Sequence, residues 1–286
     1  MRRARGALWA VLGIAVALAL VAGGVVLWST YNKVPLPIED RCTATAGGHT
    51  ATITPEQARN AAIIAGVSIK RGLVPRAASI ALATAYQESG VRNLDYGHAD
   101  SIGLFQQRPS KGWGTVEQIM DPWYSSRSFY EALVRVKNWR TRDINDVAQA
   151  VQRSAYPDAY RQHESNARAL ASSLTGETPA SFTCVVNRPA APDPEGMAAF
   201  LKKTLGAGTV TTRVEGSTLT VTADDASRAW AVAHLAIANT AGYGLSAAKV
   251  GPYAWTHSTT GLASWQGTGP ADTARSVTLV FPEPQR

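Results

Sequence analysis

Gln87-Glu88-Ser89-Gly90, followed after a polar interval by Asp100-Ser101-Ile102-Gly103-Leu104-Phe105-Gln106-Gln107, is the stretch that decides the fold. The first four residues close an apolar segment that reads as a helix from Pro75 through Ile80, Leu82, Ala83 and Ala85. Gly90 is its natural stop, since glycine takes the left-handed C-cap conformation without a steric penalty. Glu88 therefore sits at a helix C-terminus, which already carries about half a negative charge. A second negative charge there is disfavoured, and burial beside Tyr86, Leu104 and Phe105 would act the same way. The expectation is a glutamic acid that keeps its proton above the usual carboxylate range. The glycine, aromatic and paired amides that follow suit a pocket holding such an acid against a sugar.

Working outward, the flanking segments also read as helices. Thr54-Pro55-Glu56-Gln57 is a helix start, with Thr54 as N-cap, Pro55 at the first position and Gln57 placed for a capping box. Ala58, Ala61, Ala62, Ile64, Ala65 and Ile69 give that helix its apolar face. Thr115 to Met120 predicts a short helix, Asp121-Pro122 starts another, and Ile144 to Arg153 and Pro157 to Leu174 complete the set. The alanines imply close helix packing. Beyond Pro189, Pro192 and Pro194 the texture changes: a helix at Met197–Leu205, a hairpin around Glu215-Gly216, a helix at Asp224–Ala241, and strands at Lys249–Thr256 and Ser276–Phe281. The fold class expected is α+β: an N-terminal transmembrane helix, a mainly helical domain, then a smaller α+β domain.

The central block, continued by Arg108-Pro109-Ser110-Lys111-Gly112-Trp113-Gly114-Thr115, resembles the lysozyme-like lytic transglycosylase family, in a variant common in exported proteins of high-GC Gram-positive bacteria. The resemblance covers about the middle half of the chain. It implies a lysozyme-like domain in which one glutamate, here Glu88, performs both proton transfers on a peptidoglycan strand, leaving a 1,6-anhydro end. It implies substrate contacts at Ser89, Gly103, Leu104, Phe105, Gln106 and Gln107, with Phe105 standing where the family has methionine. Gln152 and Tyr156 fall where the family has its Ala-Ala-Tyr-Asn-Ala-Gly segment and are the candidate polar and aromatic contacts, with Tyr160 the alternative aromatic. Trp113 either stacks on a sugar or plugs the core. Asp95, Asp100 and Asp121 are the nearby acids that a two-carboxylate hydrolase would need; Asp100 reads as a turn cap and Asp121 as an N-cap.

The ends set the compartment. Arg2, Arg3 and Arg5 precede an uncharged run over 6–28, long enough to cross a bilayer with its basic end inside. Cleavage as a secretory signal near Ala17-Leu18-Ala19 is the alternative; in both cases the remainder is exported. Cys42 and Cys184 are then expected to pair, the other reading being two buried thiols. The organisation expected is an anchor at 1–28, a stalk at 29–53, the helical domain at 54–184, a proline-rich linker at 185–195 and the α+β domain at 196–286. A net charge of +7 suits an anionic envelope. No basic-aromatic stripe marks nucleic-acid binding. The five histidines lack metal-ligand spacing, and no cofactor is implied. Tyr243, Tyr253, Trp255, His257 and Trp265 either pack a core or form a binding surface for an envelope partner. The functions left are a membrane-anchored lytic transglycosylase, a lysozyme-type hydrolase, or a non-catalytic wall-binding scaffold.

Overall fold

The computed structural model describes residues 2–32, 38–152 and 158–283, and the chain divides into two compact units, Met1–Ile38 and Glu39–Arg286. The first unit is helix α1 (Arg2–Asn32). Its segment Leu12–Thr30 has a mean hydropathy of 2.3, long and apolar enough to cross a membrane or to act as a signal.

The second unit begins with a hairpin. Strands β1 (Arg41–Ala46) and β2 (His49–Ile53) pair antiparallel around Gly47 and Gly48, whose φ values of 59° and 75° fit a two-residue primed turn. These residues were expected in a stalk. They fold instead because Ala44 and Ala51 are fully buried and β1 gains a second neighbour, β3 (Phe182–Val185), from far along the chain. Cys42 lies directly opposite Cys184 in that register, and the two form a disulfide, as the exported reading expects.

The helical body comprises α2 (Pro55–Lys70), α3 (Pro75–Ser89), α4 (Val116–Met120), α5 (Pro122–Leu133), α6 (Ile144–Gln152) and α7 (Glu164–Leu174). Thr54 and Gln57 make the full capping box, as do Thr115 and Gln118, while Asp121 caps α5 through Trp123 N at 2.8 Å. The last helix starts later than expected: Arg161–His163 is a 3₁₀ turn before α7, and Pro157 lies outside the described residues. Helix α3 packs between α7, α6 and α2, and its Ala77, Ala78, Ala81 and Ala85 are fully buried.

Residues 185–195 are not a free linker. Ala190 N and Asp193 N donate to the carbonyls of Ala241 and Tyr243. Helices α8 (Pro194–Leu205) and α9 (Ala226–Ile237) then cover one face of a five-stranded antiparallel sheet. Its strands are β4 (Val210–Glu215), β5 (Thr218–Ala223), β6 (Ala247–Val250), β7 (Tyr253–Thr256) and β8 (Ser276–Val280), in the order β4-β5-β8-β6-β7. The single strand expected at 249–256 is a hairpin, broken at Gly251-Pro252 where φ of Gly251 is 55°.

The parts expected as separate domains at 54–184 and 196–286 form one unit. The reason is steric fit at Gly66 of α2, where an added Cβ would stand 2.2 Å from Cγ2 of Thr204 in α8 and 3.1 Å from Leu235 in α9. Two aromatic residues of the C-terminal part, Trp255 and Trp265, serve this joint, while Tyr253 packs on Trp230 within that part. The indole N–H of Trp255 donates to Thr183 Oγ1 (2.8 Å) and that of Trp265 to Phe182 O (3.0 Å), both on β3.

His234 lies in the same joint. It is fully buried, and because Ser173 O can only accept, its Nδ1 at 2.6 Å carries the proton. Nε2 has no hydrogen-bond partner among the described residues. Burial pushes the imidazole pKa down to about 4, against the smaller opposing pull of the Ser173 carbonyl. The unfolded chain binds this proton near pH 6.5 and the folded chain only near 4, so stability falls as pH drops through that window. On the order of 3 kcal/mol of stability is expected to be lost between pH 6.5 and 4. Thermal melts across that range should show it, and His234→Gln should flatten the slope.

Candidate active site

Glu88 occupies the last turn of α3, and the helix stops at Gly90, whose φ of 64° is left-handed. Two side chains of α2 hold the chain as it leaves: Gln57 Nε2 donates to Gly90 O (2.7 Å) and Asn60 Nδ2 to Val91 O (2.9 Å). The carboxyl is largely buried and hydrogen-bonded. The Tyr160 hydroxyl donates to its Oε1 at 2.8 Å, with the Gln152 side chain as a second partner. Burial raises the Glu88 pKa, and the opposing pull of these two hydrogen bonds is smaller.

Glu88 opens into a cleft of about 1300 Å³, which Gln106, Trp113 and Gln152 also line. That exceeds the roughly 300–1,000 Å³ of a drug-sized pocket and suits an extended oligomer. Gln152 also braces the wall, its Nε2 donating to Phe105 O at 2.8 Å. Trp113 is half-buried, packing on the core while also lining the cleft. Tyr156 lies outside the described residues. Tyr160, the alternative aromatic, is the one that touches the acid.

Other expected contacts are corrected. Ser89 is buried: its hydroxyl donates toward Leu104 O (2.8 Å) and Ala85 O (3.1 Å) and accepts from Arg92 N, so it ties the helix end to the following loop. Leu104 and Phe105 are fully buried in the core, Phe105 stacked on Phe129 at 4.6 Å between centroids. Gln107 is 1% exposed and donates to Ser125 O. Gly103, at φ 78°, fits a turn whose Cβ position faces Ile119 O at 3.0 Å. The backbone bridge Ile102↔Gln107 pins this turn, turning Leu104 and Phe105 inward and leaving Gln106 at the cleft. Tyr86 is half-buried and stacks on His163 at 5.5 Å, and it does not line the cleft.

No nearby aspartate is a ready second catalyst. Arg108 Nε at 2.6 Å and Ser110 N at 2.8 Å clasp Asp100 and hold its carboxyl far below the usual range. Asp121 caps α5 and Asp95 is exposed. Glu131 does line the cleft, but it pairs with Arg71 (3.4 Å) and Arg127 (3.8 Å). Sequence reasoning missed it, along with Tyr124, Ser128 and Arg135. Their spacing of 124, 128, 131 and 135 is one face of a helix and its exit, a signal that was available. Among the described residues no three His, Cys, Asp or Glu side chains gather as a metal site would need.

Removing the Tyr160 hydroxyl takes away a bond that favours ionised Glu88. In Tyr160→Phe the Glu88 pKa is therefore expected to rise further. Titration of the Glu88 carboxyl by NMR in the parent and the variant would reveal it. No protein-family model and no curated protein matches this chain.

Proposed function

We propose that this chain is an exported, membrane-anchored lytic transglycosylase that cleaves the β-1,4 bond between MurNAc and GlcNAc, with a lysozyme-like helical body. The observation that carries this reading is Glu88, a largely buried carboxyl held by Tyr160 at the wall of a cleft large enough for several sugars. The disulfide and the apolar N-terminal helix suit an exported location.

In the proposed reaction Glu88 gives its proton to the glycosidic oxygen as the bond from the anomeric carbon breaks. The resulting carboxylate then takes the proton of the sugar's own 6-hydroxyl while that oxygen bonds the anomeric carbon. The acid is regenerated, and water is not consumed. Tyr160 steadies the carboxylate between the two transfers. A water-consuming hydrolase is the second reading, favoured only by the presence of Glu131 in the cleft, where its pairing with Arg71 and Arg127 argues against a base. Mass spectrometry of digested peptidoglycan distinguishes them: anhydro ends support the transglycosylase, reducing ends the hydrolase. Wall binding without cleavage would instead indicate a scaffold.

A further inference from the structure

The charges lining the cleft do not cancel. Glu131 is neutralised by Arg71 and Arg127, and Arg108 by Asp100. Lys111 and Arg135 remain, both exposed and both without an ion pair among the described residues. Compensation of a helix dipole would account for Arg135, just past the end of α5, but not for Lys111, which ends the separate 3₁₀ turn Pro109–Lys111.

The cationic edge also continues past the cleft. Lys137 and Arg140 follow Arg135 in an exposed loop with a fixed backbone: Arg76 donates to the carbonyls of Trp139 and Arg142, and Trp139 is 4% exposed. A β-1,4 glycan stripped of its peptides offers these cations only the single lactyl carboxylate of each muramic residue. A strand whose lactyl groups carry acidic peptides offers several carboxylates per disaccharide, reaching farther from the sugar backbone.

We infer that Lys111 and Arg135 make the cleft selective for glycan strands bearing carboxylate-rich peptide substituents over the same strands stripped of peptide. This deepens, and rests on, the glycan-cleaving reading of Glu88. Exposed cations act through screened attraction, so the selectivity is modest and salt-sensitive.

The test uses the full-length chain in detergent with two glycans, peptide-bearing and amidase-stripped, both first freed of phosphate polymers so that carboxylates are the remaining anions. Binding is read by co-sedimentation of the Glu88→Gln chain, and cleavage with the unmodified chain. The peptide-bearing glycan is expected to bind about 3- to 10-fold more tightly at low salt. Adding Lys111→Gln and Arg135→Gln should reduce the ratio to about 1, as should salt near 1 M, where the Debye length is about 3 Å. Lys249→Gln, on the far sheet, should leave it unchanged.

Equal binding of both glycans overturns the inference. So does a preference seen only when phosphate polymers are left on, or one that Lys249→Gln removes equally. Cleavage of both strands without preference would sink the selectivity and leave the Glu88 reading intact. Selective binding with cleavage of neither would do the reverse.

Discussion

Glu88→Gln is expected to reduce release of anhydro-muropeptides from peptidoglycan by about 10²- to 10⁴-fold, the range typical of a lost general acid. Glutamine keeps the volume and an acceptor for the Tyr160 hydroxyl, so the cleft should persist while its transferable proton is gone. Full activity in this variant, measured by mass spectrometry of the soluble products, would refute the role assigned to Glu88. Stability supplies an independent readout. Because the folded-state pKa of Glu88 is raised, the folded chain binds more protons than the unfolded one over the window above the ordinary carboxylate range. Stability therefore falls as pH rises through that window, and the penalty is complete above the raised pKa. Glu88→Gln should melt higher than the parent at pH 8, with the gain disappearing below about pH 4. A merely exposed glutamate would give neither effect.

Replacing both cysteines, Cys42→Ala with Cys184→Ala, should destabilise the second unit by about 4–5 kcal/mol. The bridge closes a loop across a sequence separation of 142, and the chain-entropy model gives about 5 kcal/mol for a loop of that size. In a unit this large that corresponds to a fall in Tm of about 8–10 °C. Calorimetry of the oxidised parent and the double variant measures it. A fall of less than about 3 °C would mean that β1 and β3 hold their pairing without covalent help.

The helical body was legible because its signals are local. Thr54 with Gln57, Thr115 with Gln118, Asp121 before Pro122, and Gly90 after Ser89 each declare a helix end within four residues. The place of Glu88 in the last turn of its helix was legible for the same reason. The first sheet was not, because Cys42-Thr43-Ala44-Thr45-Ala46 is built from small residues and one of its two partners lies some 140 positions away. The Gly47-Gly48 turn was the available clue, and it reads equally as a break in a stalk. Site residues failed where a turn, rather than periodicity, sets direction. Nothing in Gly-Leu-Phe-Gln says that Gln106 faces the cleft while Leu104 and Phe105 face the core; the backbone bridge at Ile102 and Gln107 decides it. The unity of the second unit was hidden too, since Gly66 reads as an ordinary helix glycine until Thr204 is seen beside it.

The placement of β1 has a mechanical corollary. It is the middle strand of its sheet, and the chain enters it only a few residues after the first unit ends. A pull on the chain at Arg41 along the strand's own axis would shear two ladders of hydrogen bonds together instead of peeling one open. Cys42, the second residue of the strand, would carry the load into Cys184 before it reached the helical body.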